Sequence, residues 1–309
     1  MSMSNPAPPR QTIIGPEAQA RTAPLARLGD YLQLTKPRIA VMGLVSVGVG
    51  FALGSTGELQ WVLLAHALWG IGLVAVACSV LNQYVERSSD ALMRRTEDRP
   101  LSAGRISAAE ALAIGIVAAA AGLLWLLLFV NLLTAALSLA TLLLYVVVYT
   151  PLKRISSICT TVGAIPGALP PILGWTAAGG GLDLGAFALF AVLFVWQFPH
   201  FLAIGWLHQD DYAEAGMKML PAVPQATGWL AVMYAIALIP VSLLPERAAI
   251  AGDAYLLAAV ALGLGYLAAA IRFAFEQSKE TARGLLWSSL IYLPLLLLAL
   301  TWDHFQLLR

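Results

Sequence analysis

Long apolar stretches alternate with short polar segments from residue 39 onwards. A helix needs about 20 apolar residues to cross a bilayer, and nine stretches meet or approach that length. The predicted spans are Ile39–Leu53, Trp61–Tyr84, Ala108–Phe129, Leu132–Tyr149, Ile158–Ala178, Leu184–Leu207, Gly228–Leu244, Ala254–Ile271 and Gly284–Trp302. A break at Asn131 divides the third span from the fourth. The pattern therefore predicts an all-α membrane protein with nine transmembrane helices.

The composition excludes most other classes of protein. Hydrophobic residues make up 60% of the 309 positions and charged residues 11%, whereas a soluble domain carries about 25% charged residues. This excludes a soluble fold, a disordered chain and a coiled coil. A net charge of +1 gives no reason to expect a nucleic-acid partner. The two cysteines are too few for a disulfide framework and are interpreted as buried bystanders.

The chain divides into a short tail and one membrane domain. Residues 1–30 are polar and rich in proline, without the apolar core of a signal peptide. They are predicted to be a disordered or interfacial tail, with a short interfacial helix around Leu25–Leu34. Residues 31–309 form the predicted nine-helix transmembrane domain.

The basic residues predict the orientation. Every Lys and Arg except Arg247 and Arg309 falls in the tail or in a segment that follows an even-numbered span. Because cytoplasmic segments collect Lys and Arg, we expect the N-terminus in the cytoplasm and the C-terminus on the opposite side, in a bacterial inner membrane. All the charged chemistry is then available at one membrane surface.

An acidic stripe follows the second span. If that helix continues, Asn82, Glu86 and Asp90 share one face at intervals of four residues, and Arg94 extends the stripe. Acids at this spacing repel each other, so a cation between them is expected. Mg²⁺ is the natural candidate because it prefers oxygen ligands and substrate phosphates. The alternative is a solvated helix end with surface ion pairs.

A second acidic pair follows the sixth span. On a continuous helix, Asp211 lies about 20° from the line of His200, whereas Asp210 faces away from it. Two acidic helix ends suggest helices that face each other across a diphosphate bridged by a pair of Mg²⁺ ions.

Basic residues fall on the same predicted face as the acids. Lys153 and Arg154 close the fourth span, and Arg94, Arg95 and Arg99 follow the second. Arg suits bidentate contact with phosphate, and Lys supplies a point charge. The alternative is ordinary anchoring by the positive-inside rule, which does not explain acids and bases interleaved in one loop.

Two features lie inside the apolar spans. His200 is an ionisable residue at membrane depth, which makes it a functional candidate; it could contact a substrate, ligate a haem iron or hydrogen-bond the backbone freed by Pro199. The segment 163–171 is rich in Gly and Pro and interrupts the fifth span. Its lack of charge fits the wall of an apolar chamber.

Together these motifs resemble those of the UbiA superfamily of intramembrane prenyltransferases. Asn82-x3-Glu86-x3-Asp90 resembles the first acidic motif, Tyr149-x3-Lys153 the basic motif and Asp210-Asp211 the second acidic motif. Further stretches resemble the haem-farnesylating members of the superfamily, the haem O synthases. These stretches are 35–38, 94–101, 149–154, 166–171, 199–201 and 210–221, so that the resemblance covers residues 30–300.

The resemblance implies a central cavity that opens to the cytoplasmic side and a defined reaction. Farnesyl diphosphate ionises with help from Mg²⁺, and the farnesyl group joins a vinyl group of haem b, to which water adds. The roles implied are Mg²⁺ and diphosphate binding for Asn82, Glu86, Asp90 and Asp211; phosphate contact for Arg94, Arg99, Lys153 and Arg154; substrate binding for Tyr149 and Asp210; haem contact for His200; and propionate or phosphate contact for Arg38.

Some positions depart from the family pattern, and two other functions stay open. Glu86 stands where Asp is usual, and Ser88 and Leu207 stand where acids are common, so fewer carboxylates are left for metal. An aromatic acceptor in quinone synthesis would use the same diphosphate chemistry. A transporter or channel is the non-enzymatic alternative, but transporters place charges near the midplane. A haem-modifying or terminal-oxidase assembly protein is the expected downstream partner.

Overall fold

The computed structural model describes residues 24–221 and 226–307, so most of the predicted tail lies outside the described residues. The regular elements within these ranges are helices. In chain order they are α1 (Pro24–Leu34), α2 (Pro37–Gly54), α3 (Trp61–Asp90), α4 (Ala108–Phe129), α5 (Leu132–Leu143), a π-helical turn (Leu144–Tyr149), α6 (Thr150–Leu152), α7 (Cys159–Ala168), α8 (Pro170–Ala177), α9 (Leu184–Leu207), α10 (Gln209–Glu214), α11 (Ala226–Val241), α12 (Leu244–Arg247), α13 (Asp253–Phe275) and α14 (Lys279–Leu307).

Eight of the described helices are long and apolar enough to cross a membrane, and the predicted count of nine is not confirmed. The eight are α2, α3, α4, α5 extended to Leu152, α9, α11 extended to Arg247, α13 and α14. The predicted fifth span is instead divided between α7 and α8, which meet at Leu169. Pro170 and Pro171, the first two residues of α8, explain the division, because proline lacks the N–H that a continuous helix requires.

Side-chain caps fix where several helices begin. The side chain of Asn131 accepts a hydrogen bond from the Thr134 N–H, which starts α5 at the break expected from the sequence. Ser107 caps α4 through the Glu110 N–H in the same way. Such caps satisfy N–H groups that have no partner inside the helix.

The helices pack around two hydrophobic cores. One core lies mainly among α9, α11, α13 and α14, and the other among α2, α3, α4, α5 and α8. Helix α2 packs closely on α8 because glycines stand at the contact. A Cβ atom on Gly50 would lie 1.9 Å from the Pro171 carbonyl oxygen, and one on Gly174 would lie 1.9 Å from that of Val47.

The outer faces of the long helices remain apolar. Large hydrophobic side chains such as Val117, Leu257, Leu298 and Trp287 are more than half exposed. In water such a surface would be unfavourable, whereas lipid is as apolar as these side chains. The distribution is that of a helical bundle surrounded by a bilayer.

Candidate active site

A polar cavity of about 170 Å³ lies where the ends of α2, α3 and the π-helical turn come together. It contains six of the residues selected from the sequence: Asn82, Glu86, Asp90, Arg99, Tyr149 and Lys153. Lys36, Arg95, Tyr145 and Tyr212 also line it. The cavity therefore joins the first acidic motif to the basic motif.

Helix α3 carries the acidic stripe. It runs without interruption for 30 residues and ends at Asp90, so the predicted continuation past Tyr84 is confirmed as far as Asp90. Asn82, Glu86 and Asp90 are 1%, 6% and 1% exposed. An unpaired buried carboxylate is costly, so each must have a partner.

Basic side chains from other segments are those partners for the two acids. Lys153 Nζ lies 2.8 Å from Glu86 Oε1, and Arg99 Nη1 donates to Asp90 Oδ2 at 2.6 Å. Because all four groups are largely buried, removing one member would leave an uncompensated charge. The two ion pairs therefore hold the turn that contains Arg99, and the end of α6, against α3.

Asn82 is oriented by two hydrogen bonds. Its Nδ2 donates to Thr150 Oγ1 at 3.1 Å, and its Oδ1 accepts from Lys36 Nζ at 3.0 Å. The amide oxygen thus points to the same side as the acids and is available to a cation. This assignment of oxygen and nitrogen follows from the hydrogen-bond network.

Lys36 is a cavity residue at the junction of α1 and α2. Its backbone adopts φ 49°, in the left-handed region, where non-glycine residues are uncommon. Burial, together with the positive charges of Arg99 and Lys153, lowers the pKa of Lys36 to about 7. A strained backbone and a desolvated amine are both features of functional sites.

Tyr149 and Lys153 form the basic wall. Lys153 Nζ lies 4.4 Å from the centre of the Tyr149 ring, within cation–π distance. Burial is the largest single influence and lowers the pKa of Lys153, but the charge and hydrogen bond of Glu86, together with the nearby tyrosines, raise it above the usual lysine value. Gly163 makes room for the tyrosine, because a Cβ atom there would lie 2.5 Å from its ring. The preceding π-helical turn shifts these residues relative to an α-helical register.

Of the three basic residues expected after α3, Arg95 and Arg99 line the cavity and Arg94 does not. Arg94 was selected because it extends the α3 stripe, but α3 ends at Asp90 and turns follow. Arg95 lines the cavity instead, and its Nη2 donates to the Tyr212 hydroxyl at 3.3 Å. The periodicity that selected Arg94 applies only while the helix continues, and contact of Arg94 with phosphate stays a prediction.

The second acidic motif is placed differently from the expectation. Helix α9 ends at Leu207, and His208 adopts φ −116° and ψ 23° before α10 begins. His200 and Asp211 therefore do not belong to one continuous helix, and the predicted angle between them does not apply. Asp211 lies 3.8 Å from the His208 ring and does not line the polar cavity, and Asp210 is exposed. Tyr212 is the residue of α10 that lines it.

Three further residues selected from the sequence lie away from this cavity. Arg154 donates to Ser88 Oγ at 3.2 Å and also to Ser89. Arg38 is exposed. His200 Nδ1 hydrogen-bonds Ser289 Oγ at 2.7 Å, between α9 and α14. Arg154 and Arg38 therefore do not line the polar cavity, and their contact with diphosphate stays a prediction.

An apolar cavity of about 190 Å³ lies next to the polar one, and the two share Ile39 and Tyr145 as lining residues. Helices α2 and α3 form two of its sides. Pro166, Gly167 and Pro170 contribute from the interrupted span, in agreement with the expectation of an apolar chamber wall. A charged site thus lies directly beside an apolar one.

Sequence reasoning missed Lys36 and Tyr145 as cavity residues. Lys36 lies within the basic segment 35–38, which gave a usable signal, since a lysine just before a span can fold back onto it. Tyr145 gave no signal, because an aromatic residue inside an apolar span is indistinguishable from core until the packing is known.

The chain resembles characterised families over nearly its whole length. Residues 43–293 match the model of the UbiA prenyltransferase family. The protoheme IX farnesyltransferase of Solibacter usitatus is 46% identical over 279 residues, which cover 86% of this chain and 96% of the relative. That of Koribacter versatilis is 42% identical over 307 residues, which cover 95% and 99%.

Solved structures share the fold at low sequence identity. A structure of digeranylgeranylglyceryl phosphate synthase aligns with TM-score 0.77 and 18% identity, covering 90% of this chain and 99% of the other. A UbiA homologue from Archaeoglobus fulgidus bound to GPP and Mg²⁺ aligns with TM-score 0.61 and 17% identity, covering 88% and 99%. With its long apolar helices and the family match over most of its length, this multi-pass integral membrane protein belongs to the UbiA prenyltransferase family.

Proposed function

We propose that this protein transfers the farnesyl group of farnesyl diphosphate to a vinyl group of haem b, giving haem O. The observation that carries the proposal is the junction of a charged cavity with an apolar one at Ile39 and Tyr145. An allylic diphosphate has the same division, with a charged head and an apolar tail. The relatives named protoheme IX farnesyltransferase support haem as the acceptor.

The oxygen groups of α3 fit a Mg²⁺ site that the substrate completes. Asn82, Glu86 and Asp90 offer one amide and two carboxylates, and Mg²⁺ commonly uses one or two carboxylates together with substrate phosphates. In residues 24–221 and 226–307, no group of three His, Cys, Asp or Glu side chains could hold a metal alone. Bound there, Mg²⁺ would supply positive charge to the departing diphosphate. Asp211 stays a predicted ligand that would need the α10 segment to move.

The basic side chains of the cavity would bind the phosphate oxygens. Lys153, Arg99 and Lys36 now pair with the oxygens of α3. If those oxygens held Mg²⁺, the three cations would be free to contact diphosphate. Every buried charge would then stay compensated, and the cations would stabilise the charge that develops as the C–O bond breaks.

The apolar cavity would hold the farnesyl chain and protect the allylic cation. Tyr145 stands at the junction, with its ring 5.3 Å from that of Tyr149 in the polar cavity, and aromatic faces favour positive charge. The surrounding side chains keep water from the cation. Carbon–carbon bond formation with the vinyl group then moves the positive charge to the acceptor, where water adds with loss of a proton.

Haem contact through His200 stays a prediction. The ring is hydrogen-bonded to Ser289 and stacked on Trp196 at 5.2 Å, which a packing role would equally produce. Replacing His200 with Ala and titrating haem b into the purified protein distinguishes the two roles. A contact residue changes haem affinity, whereas a packing residue lowers thermal stability without changing it.

The test of the proposed function is a direct assay. Purified protein in lipid vesicles is incubated with farnesyl diphosphate, haem b and Mg²⁺, and the products are identified by mass spectrometry. We expect haem O from the wild-type protein and none from the Asp90→Ala variant or after chelation of Mg²⁺. Prenylated hydroxybenzoate without haem O would assign an aromatic acceptor. No prenyl transfer by folded protein to either acceptor would overturn the proposed activity.

The proposed setting is a bacterial cell membrane with the N-terminus in the cytoplasm and the C-terminus opposite. The basic segments next to the polar cavity support this orientation. In α1, the exposed Leu28 and Leu32 are spaced to enter the lipid interface. Haem O would then pass to a haem-modifying or terminal-oxidase assembly protein.

A further inference from the structure

Gly43 leaves an unfilled space in the wall of the apolar cavity. It lies on α2 and lines that cavity. A Cβ atom placed on Gly43 would meet no heavy atom within 4 Å. The backbone there is ordinary α-helix, so neither a tight contact nor a positive φ requires glycine.

Other glycines near the site are explained by packing. A Cβ atom on Gly167 would lie 2.1 Å from Gln197 Oε1, and one on Gly50 would collide with the backbone at Pro171. Those glycines allow segments to approach each other. Gly43 differs because it lines the cavity and a Cβ atom there would meet open space instead of another segment.

Its depth places Gly43 part of the way along the cavity. Ile39, Gly43 and Val47 all line the cavity at intervals of four residues on α2. At a rise of 1.5 Å per residue, Gly43 lies about 6 Å from Ile39 along the helix axis and Val47 about 12 Å from it. Because Ile39 borders the polar cavity, a side chain at position 43 would obstruct the half that lies farther from the diphosphate site.

We propose that Gly43 determines the length of the prenyl chain that the site accepts, by leaving room for the third isoprene unit of farnesyl. The inference rests on the proposed function, since it requires the apolar cavity to hold the prenyl chain. Gly43 is a specificity residue in this role: it takes no part in bond breaking, and its substitution leaves the diphosphate site intact.

The test compares farnesyl diphosphate with geranyl diphosphate, which is one isoprene unit shorter. In Gly43→Leu we expect kcat/KM for farnesyl diphosphate to fall at least tenfold while that for geranyl diphosphate is retained, and mass spectrometry of a competition assay to give mostly the geranyl product. Stabilisation of the protein against heating by each diphosphate with Mg²⁺ provides a second measurement that needs no turnover. It should shift in the same direction.

Gly48→Leu is the matched control. Gly48 lies on the same helix, about 140° around from Gly43, also has no heavy atom within 4 Å of a Cβ atom, and does not line the cavity. We expect its preference for chain length to match that of the wild-type protein. If Gly43→Leu does not fold, Ala75→Leu obstructs the same cavity from α3.

The outcomes separate the two proposals. A wild-type protein that neither binds nor uses farnesyl diphosphate contradicts the proposed function. A wild-type protein that uses it, together with folded Gly43→Leu or Ala75→Leu variants that keep the wild-type ratio of farnesyl to geranyl product, overturns the role of Gly43 alone. An equal change in Gly48→Leu also overturns it, because the effect would then follow from helix packing.

Discussion

The polar ends of α3 and α9 differ, although both carry acids in the sequence. Helix α3 continues unbroken to Asp90, and its acids are buried beside basic partners. Helix α9 stops at Leu207, and the chain restarts after His208 with Asp210 exposed and Asp211 outside the polar cavity. The position of a motif depends on the helix or loop to which it belongs. Helical periodicity predicts that position only where the helix is continuous.

The two ends also differ in how they are held. The α3 stripe is tied to the remainder of the cavity by buried ion pairs. The segment 208–221 is held by lighter contacts, such as the hydrogen bond from the Lys218 N–H to the Lys153 carbonyl at 2.7 Å and the packing of Met217 on Met93. We therefore expect substitutions at α3 to act on chemistry and substitutions in 208–221 to act mainly on closure over the site.

The largest expected effect is at Asp90. Asp90→Asn keeps the shape of the side chain but removes the charge that binds Arg99 and the proposed Mg²⁺. We expect kcat/KM for haem O formation to fall about 1,000-fold, since a catalytic metal contributes several kcal/mol. In Asp211→Asn, kcat/KM should fall only about tenfold, because Asp211 does not line the polar cavity.

Both variants are measured at matched protein levels in the same lipid, with thermal unfolding as the check on folding. Equal losses at the two positions would contradict the comparison. They would indicate that the 208–221 segment brings Asp211 into the cavity during the reaction, as the sequence suggested.

Lys153 and Arg154 are adjacent basic residues with different partners. Lys153 lines the cavity, whereas Arg154 does not line it and donates to Ser88 and Ser89 of α3. Lys153→Gln should weaken binding of farnesyl diphosphate about 10- to 100-fold, the range for a lost charge-assisted hydrogen bond. Arg154→Gln should change it less than about twofold. Calorimetric titration with Mg²⁺ present measures both, and a similar loss for Arg154→Gln would show that the basic wall acts as a diffuse field.

The contrast between α3 and α9 also explains which features could be predicted from the sequence. The break at Asn131, the interrupted fifth span and the shared face of the α3 acids follow from local rules of capping, proline chemistry and helical spacing, and could be predicted. The sequence could not predict that Arg95 lines the cavity instead of Arg94, or Tyr212 instead of Asp211. Each of these outcomes depends on where a helix ends. Helix termini are set by tertiary contacts as well as by propensity, and extrapolation by 100° per residue fails beyond them.

Substitutions of Arg95 and Arg94 test where α3 ends. Arg95→Gln should raise KM for farnesyl diphosphate about fivefold, because it removes an exposed charge and its contact with Tyr212 at the cavity mouth. Arg94→Gln should leave KM unchanged. Steady-state kinetics at saturating haem b measure both values, and the opposite order would mean that α3 continues past Asp90 in the working enzyme.

The smallest expected effect is at Gly216, which follows α10 within the 208–221 segment and has φ +67°. Nothing lies within 4 Å of a Cβ atom there, so Gly216→Ala introduces backbone strain alone, at about 1 kcal/mol. Amide hydrogen exchange in residues 209–221 should then rise about fivefold, with exchange in α3 unchanged. Gly284→Ala, at an equally open helical position, should not accelerate exchange in either region. A matching rise in α3 would mean that the two ends open together, and the separation between a rigid acidic stripe and a movable closing segment would no longer hold.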